Sequence, residues 1–357
     1  MSLIKKKVLF ISLGVIAIIA TLLFTGARYA YNKTNYEYEI LFESYLKITE
    51  YHGRGGNIVI PQFIRGNTKP VVAIGPNVFT NREDLTGVSI PEDVYISSSA
   101  FKNCTNLTNV TMRGRGTDHI AIDAFENTPW YDNVSKSAPD GFIIINRLLV
   151  EYKGNESSVV IPNGVHRINE LAFKGNTNLT SLTLSDDVRS IGSGAFKDCT
   201  NLTSVTIPYH FDAIGDSAFS GCTSLTSLAI PSSVTYIGDR AFENTGLMSV
   251  IIPCVRYIQE GVFADCTELT SVTIPYGITG IRANAFSGCT SLTSITIYDG
   301  VLNSDWGSID NGAFAGCISL TSVKIPDSIT FVDTNAFYDT PWSKTDEHRE
   351  LMERAGR

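Results

Sequence analysis

The chain has 357 residues, a formal net charge of −8 and an isoelectric point near 5.2. This acidic balance argues against a general nucleic-acid or anionic-lipid binding protein, because such proteins cluster lysine and arginine on one surface. Length alone would suggest domains of roughly 150 residues. An internal repeat overrides that expectation, because stacked repeats can form one long domain.

The N-terminal segment has the pattern of an exported chain. Lys5, Lys6 and Lys7 precede an uncharged stretch at residues 8–24, and lysines before an apolar run stay inside while the following chain crosses the membrane. The length of this run lies between those of a signal-peptide core and a membrane-spanning helix. Residues 1–27 are predicted to be an uncleaved membrane anchor or a cleaved signal peptide, and a buried core helix is the weaker alternative. The rest of the chain is expected outside the cytoplasm.

A phenylalanine that follows a small residue recurs along most of the chain. The intervals between successive copies are 22, 24, 48, 23, 23, 23, 21, 23, 28 and 23 residues, which indicates stacked repeats. A complete repeat, LTSVTIPYHFDAIGDSAFSGCTS, occupies residues 202–224. The predicted repeat core includes Phe173, Phe196, Phe219, Phe242, Phe263, Phe286, Phe314 and Phe337.

Each repeat has the pattern of a short strand followed by a turn. Val205 and Ile207 alternate with Ser204 and Thr206, as in a strand with one buried face. Pro208 ends the strand, because proline cannot donate to a ladder. One repeat is too short to bury its apolar groups alone, but stacked repeats can do so, with phenylalanine over phenylalanine. The sequence predicts a right-handed repeat solenoid with a parallel β-sheet.

The consensus L-x-x-V-x-I-P-x-x-V-x-x-I-G-x-x-A-F-x-x-C, over residues 40–342, resembles the BspA-like (Treponema pallidum-type) leucine-rich repeat of bacterial and protist surface proteins. The resemblance implies a leucine-rich repeat horseshoe of the α/β class that is mostly β. It implies a β-hairpin cap at residues 44–78, which follows a linker at residues 28–43. It also implies a role in adhesion, since members are described as surface antigens or adhesins.

The predicted solenoid covers residues 79–342, with an inserted hairpin at residues 126–158 that explains the interval of 48. The charged residues 343–357 are expected to form a tail or a short helical cap. Ser343 and Asp346 have the spacing of a capping box at its start.

Seven cysteines in an exported chain normally indicate disulfides, but their placement argues against pairing. In a solenoid, residues of one column lie about 4.8 Å apart and point the same way, which is wider than the 3.5–4.5 Å that a disulfide needs between Cβ atoms. We expect buried free thiols, with Cys254 outside the pattern. Six cysteines follow a repeat phenylalanine by three residues: Cys104, Cys199, Cys222, Cys266, Cys289 and Cys317.

The sequence contains no registered set of catalytic groups. Its histidines fall on different repeats, without an aspartate or cysteine in register, and there is no Cys-x-x-Cys and no paired histidine. We therefore expect neither enzymatic activity nor a metal site nor a cofactor. The histidines are His52, His119, His166, His210 and His348.

The predicted ligand-binding surface combines an exposed strand column with aromatic residues at strand ends and in the loop at residues 298–310. Exposed aromatic residues on a rigid scaffold often anchor binding partners. The alternative is structural, because threonine suits a half-exposed strand through its β-branching and a loop tryptophan can fold back onto its own coil. The candidate residues are Tyr209, Tyr276, Tyr298, Trp306, Thr206, Thr273, Thr296 and Lys324.

The leading hypothesis is a cell-surface protein, membrane-tethered or secreted, that adheres to an unidentified host extracellular-matrix or cell-surface protein. Its membrane contact would be the N-terminal helix, and no nucleic-acid partner is expected. The alternative is a structural envelope spacer that associates with its own copies.

Overall fold

The computed structural model describes residues 28–29, 35–64, 67–114, 119–298 and 307–355. The predicted signal or anchor and Trp306 lie outside these residues. The chain divides into two compact units. The first comprises the described residues up to 114 and residues 123–131, and the second comprises residues 119–122 and those from 132 onward. No helix within the described ranges has the length and apolar character needed to cross a bilayer.

The first unit begins with an antiparallel hairpin that leads into parallel strands. Its strands are β1 (Arg28–Tyr29), β2 (Tyr36–Leu41), β3 (Tyr45–Tyr51), β4 (Gly56–Val59), β5 (Val71–Ile74), β6 (Leu85–Ile90), β7 (Tyr95–Ile96) and β8 (Asn109–Met112). The sheet orders are β1-β2-β3-β5-β7 and β4-β6-β8. β2 pairs antiparallel with β3, and β3 pairs parallel with β5. The hairpin thus begins inside the segment predicted to be a linker, because the charged residues of β2 occupy a half-exposed strand.

The second unit also starts with a hairpin and continues as coils of two short parallel strands. An α-helix, α1 (Pro129–Lys136), precedes that hairpin. One set of strands is β9 (Phe142–Ile145), β10 (Leu148–Tyr152), β12 (Arg167–Ile168), β14 (Ser190–Ile191), β16 (Ala213–Ile214), β17 (Tyr236–Ile237), β19 (Tyr257–Ile258), β21 (Gly280–Ile281), β23 (Gly307–Ile309) and β25 (Ile329–Val332). The other set is β11 (Ser158–Val160), β13 (Ser181–Thr183), β15 (Ser204–Thr206), β18 (Ser249–Ile251), β20 (Ser271–Thr273), β22 (Ser294–Thr296) and β24 (Ser322–Lys324). Each unit is thus a mostly β solenoid.

In-register pairing places equivalent side chains of successive coils on top of one another. In the second unit, β13 and β15 pair Ser181 with Ser204 and Thr183 with Thr206. The repeat phenylalanines form a continuous stack from Phe173 to Phe337, with ring centroids 4.9–5.6 Å apart. Every ring in this stack is at most 2% exposed. The stacked rings form the spine of the core.

The turn after each ring requires a left-handed backbone. The second residue after the phenylalanine has a positive φ and is always asparagine, aspartate or glycine, which tolerate that conformation better than other residues. This explains why the repeat restricts this position although most of its side chains are not buried. The residues are Asn81, Asn103, Asn127, Gly175, Asp198, Gly221, Asn244, Asp265, Gly288, Gly316 and Asp339.

The cysteine column is a row of hydrogen-bonded free thiols. Each Sγ donates to the carbonyl oxygen of the phenylalanine one coil earlier, at 3.0–3.1 Å. All six thiols are free and buried, whereas Cys254 is free and exposed. Burial raises the pKa of Cys199 and of Cys317 to about 12. These findings confirm the expectation of buried free thiols.

Both aromatic stacks end in the same way. In the first unit, Trp130 meets Phe125 edge-on at 4.8 Å and 61°. In the second, Trp342 meets Phe337 edge-on at 4.6 Å and 65°. An edge-on ring offers no parallel face for another phenylalanine, so the motif Thr-Pro-Trp terminates the stack.

A terminal helix covers the last coil of the second unit. A 3-10 helix (Trp342–Lys344) leads into α2 (Asp346–Ala355), where Leu351 is buried. The cap of α2 is Thr345, whose Oγ1 accepts the N–H of His348 at 3.2 Å. The predicted capping box at Ser343 is therefore wrong, because the Ser343 hydroxyl donates to the Thr340 carbonyl of the preceding turn.

We expect Phe219→Ala to lower the free energy of unfolding by about 3–5 kcal/mol, because it leaves a cavity between two stacked rings. Urea unfolding followed by circular dichroism measures the change. Tyr209→Ala, at a side chain that is 71% exposed, should change the free energy by less than about 0.5 kcal/mol. Equal losses in the two variants would contradict the role of the stack.

We expect one thiol per native chain to react with a thiol reagent, and seven after denaturation. The buried thiols are shielded, and burial disfavours the reactive thiolate by raising their pKa. Absorbance of the released chromophore counts the reacted groups. Cys254→Ser should remove the fast reaction. Any thiol that still reacts fast in this variant would show that the cysteine column is not buried.

Docking of α2 should weaken in mild acid. The His348 ring packs edge-on against Trp342 at 5.1 Å, and burial lowers the pKa of His348. The undocked imidazole, with an ordinary pKa near 6.5, then binds protons more readily than the docked one. Stability from docking is therefore complete above that value and declines as the pH falls towards the lower folded pKa.

Hydrogen exchange of the α2 amides at pH 7.5 and pH 5.5 tests this pH effect. The native chain should lose protection at the lower pH beyond the intrinsic change in exchange rate. His348→Phe keeps an aromatic ring without the titration, so it should abolish the difference. An equal loss of protection in both proteins would exclude His348 as its origin.

Candidate functional site

The exposed side chains of β13, β15, β18, β20, β22 and β24 form one surface of the second unit, here called the strand face. Thr206 and Thr273 are exposed on this face and Thr296 is half-buried. Their hydroxyls have no hydrogen-bond partner among the described residues. Lys324 is exposed and pairs in register with Thr296. The four strand residues of the predicted surface therefore belong to one face.

A neighbouring hydroxyl column on this face serves the fold. Thr203 donates from Oγ1 to the carbonyl of Thr180 at 2.9 Å, and Thr270 donates to the carbonyl of Met248 at 3.0 Å. These hydroxyl groups link successive coils, a structural role beyond the β-branching considered from the sequence. The exposed hydroxyls of Thr206 and Thr273 belong to a different column.

The structure brings together two of the three predicted tyrosines. The rings of Tyr276 and Tyr298 lie 5.1 Å apart on adjacent coils, and their side chains are 67% and 46% exposed. Tyr209 is also exposed, but its ring packs against His210 at 5.2 Å. The tyrosines thus provide a pair and a separate single anchor.

Ile251 of β18 and Met248, directly before that strand, were not among the candidate binding residues, although Ile251 belongs to the predicted exposed strand column. Ile251 is 72% exposed and Met248 is 55% exposed. Ile251 pairs in register with Thr273, so it lies beside the predicted threonines. The signal was available in the sequence, because Met248 replaces the threonine of the repeats on both sides, and Ile251 stands between Ala229 and Thr273 of those repeats.

The first unit contains a cluster of metal-ligand side chains on its hairpin. His52 Nε2 lies 2.8 Å from Glu37 Oε1 and 3.6 Å from Glu50 Oε2. One ligand atom from each residue lies within 4.8 Å of the others. Sequence analysis missed this cluster, because only the register of β2 and β3 brings Glu37 opposite Glu50.

The other described histidines make isolated contacts. Buried His119 lies 3.2 Å from Glu170, and His166 lies 3.1 Å from Arg147. These pairs hold neighbouring segments together.

Several solved structures are similar to the chain. The Treponema pallidum leucine-rich repeat protein is 23% identical, with 74% of this chain and 91% of that chain covered and a TM-score of 0.34. A leucine-rich cell-surface protein of Faecalibacterium prausnitzii is 23% identical, with 92% and 97% covered and a TM-score of 0.26. The pneumococcal vaccine antigen PcpA is 16% identical, with 92% and 96% covered and a TM-score of 0.36. A search of curated proteins gave no match.

The family comparison agrees with the repeat in the sequence. A model of the BspA-type leucine-rich repeat region matches residues 28–139, 143–266 and 252–349. These ranges contain the first hairpin, all of the second hairpin except Phe142, both phenylalanine stacks and the first four residues of α2. The chain therefore belongs to the BspA-type leucine-rich repeat family.

Proposed function

We propose that this protein acts at the cell surface and adheres to a host or neighbouring-cell protein through the strand face of the second unit. The observation that carries the proposal is a set of exposed apolar and aromatic side chains on or beside regular strands. Ile251, Tyr209 and Tyr276 are each at least 67% exposed. Leucine-rich repeat proteins typically act in protein interactions.

The strand face suits a protein partner for physical reasons. Its backbone is fixed by in-register hydrogen bonds, so binding costs little conformational ordering. Apolar anchors such as Ile251 supply buried area, and the neighbouring hydroxyl of Thr273 can donate to or accept from a partner without the desolvation cost of a charge. Several weak contacts on one rigid surface add to useful affinity.

Two observations support a location outside the cytoplasm. Lysines 5–7 before an apolar run are typical of an exported chain. The similar Faecalibacterium prausnitzii protein is described as a cell-surface protein. At that location, the exposed side chains of the strand face would meet proteins of other cells, which is the reason for proposing adhesion.

Self-association through open solenoid ends is less well supported. At the C-terminal end of the second unit, α2 covers the last coil, with Trp342 and Leu351 buried. Arg354 of α2 also pairs with Asp327. A covered end offers no free parallel edge for another copy.

We expect the triple variant Tyr209→Ser, Ile251→Thr and Tyr276→Ser to bind at least about tenfold more weakly than the native chain. Each exposed anchor that becomes buried in a complex contributes about 1–2 kcal/mol, and 1.4 kcal/mol corresponds to tenfold. Retention of intact cells by the immobilised chain measures binding to cells. Binding of the soluble chain to immobilised extracellular-matrix proteins measures binding to the matrix.

The control is the double variant Ile318→Thr and Tyr338→Ser. These side chains are 57% and 68% exposed but follow the repeat phenylalanines Phe314 and Phe337, whereas Tyr209 and Tyr276 each lie three residues beyond a strand of the strand face. The control should bind like the native chain. Equal binding by all three folded proteins would exclude the strand face, and failure of the folded native chain to retain any of these targets would contradict adhesion.

A further inference from the structure

The hairpin of the first unit places two carboxylates directly opposite each other. Its register pairs Glu37 with Glu50 across β2 and β3. Like charges at directly opposed positions destabilise a strand pair. The neighbouring pair on the same hairpin shows the usual arrangement, since Glu39 faces Lys47 and their charged atoms are 2.8 Å apart. A positive charge placed between Glu37 and Glu50 would therefore stabilise this strand pair.

His52 lies on the same side of the hairpin as Glu50, because it follows by two residues and alternate residues share a face. Its backbone N–H donates to the Asn35 carbonyl at 2.8 Å, which extends the pairing beyond the end of β3. This bond holds the imidazole beside both glutamates. The three side chains thus converge at the end of the hairpin that is opposite its turn.

We propose that Glu37, Glu50 and His52 form a binding site for Zn²⁺ that bridges the open end of the hairpin. Zinc ligands lie about 2.0–2.1 Å from the ion, so a tetrahedral site separates its ligand atoms by about 3.3 Å. The distances from His52 Nε2 to the two carboxylate oxygens, 2.8 and 3.6 Å, bracket that value. Small rotations of side chains that are 34–56% exposed open the shorter contact.

The donor set selects among divalent ions. Calcium and magnesium prefer oxygen ligands throughout, whereas zinc accepts imidazole nitrogen together with carboxylate oxygen. Three protein ligands leave one position for water. Because the ion joins two strands, it binds the folded hairpin in preference to the unfolded chain and stabilises it.

The consequence is structural and independent of the strand face. Tyr36 and Tyr51, adjacent to the site, pair their rings at 4.9 Å, and Tyr51 leads the stack by packing on Phe79 at 5.1 Å. An ion that closes the hairpin therefore secures the first layer of the core in this unit. The protein partner proposed above plays no part in this inference.

The test is calorimetric titration of the chelator-treated full chain with Zn²⁺, together with thermal unfolding. We expect one site on the hairpin and a rise in the unfolding temperature with zinc. Glu50→Gln and His52→Ala should each weaken binding at least about tenfold, since each removes a ligand. Without zinc, Glu50→Gln should be as stable as the native chain or more stable, because it removes the repulsion between opposed charges.

Two controls identify the ligands. His210→Ala removes an exposed histidine of the second unit, and Cys254→Ser removes the exposed thiol. Both variants should keep zinc binding and the thermal shift. Absence of binding by the native chain, unchanged binding in Glu50→Gln and His52→Ala, or loss of binding in Cys254→Ser would each overturn the proposal.

Discussion

The spacing of about 4.8 Å between paired strands is the constraint on which each solenoid depends. It places every side chain against its equivalent in the next coil. A residue of the wrong size or polarity therefore disrupts the packing of the coils on both sides. In the second unit the rings from Phe196 to Phe314 are 5.2–5.6 Å apart, which is wider than the strand spacing. The ring side of these coils is therefore longer than the strand side, and phenylalanine acts as a spacer as well as a core residue.

This constraint explains why so much of the fold was predictable from sequence. A residue repeated in register has the same neighbours in every coil, so its environment follows from its position in the repeat. The burial of the phenylalanines and of the cysteine column followed from this rule. Stacking of equivalent positions also explains the glycine of the Ile-Gly step. An added Cβ at Gly215 would lie 2.7 Å from the carbonyl carbon of Gly192, its equivalent in the preceding coil.

Features that break the repeat were not predictable in the same way. The start of the hairpin at Tyr36 was missed because its strand is half charged and has no equivalent among the coils. Thr345 replaced Ser343 as the helix cap, because a preceding 3-10 turn had already engaged the serine. For the candidate surface, the repeat assigned Tyr276 and Tyr298 to adjacent coils, but the direction of each ring depends on packing.

The same reasoning identifies where function can reside. Consensus positions are restricted by the coils above and below them, as the Thr203 hydroxyl shows by linking two coils. Under the proposed function, we therefore expect the exposed positions that depart from the consensus to distinguish one partner from another. Ile251 meets both conditions on the strand face, Met248 meets them directly before β18, and Glu50 with His52 lies on the hairpin, which has no equivalent among the coils. Departures from the repeat are thus the positions at which chains with one scaffold present different side chains to solvent.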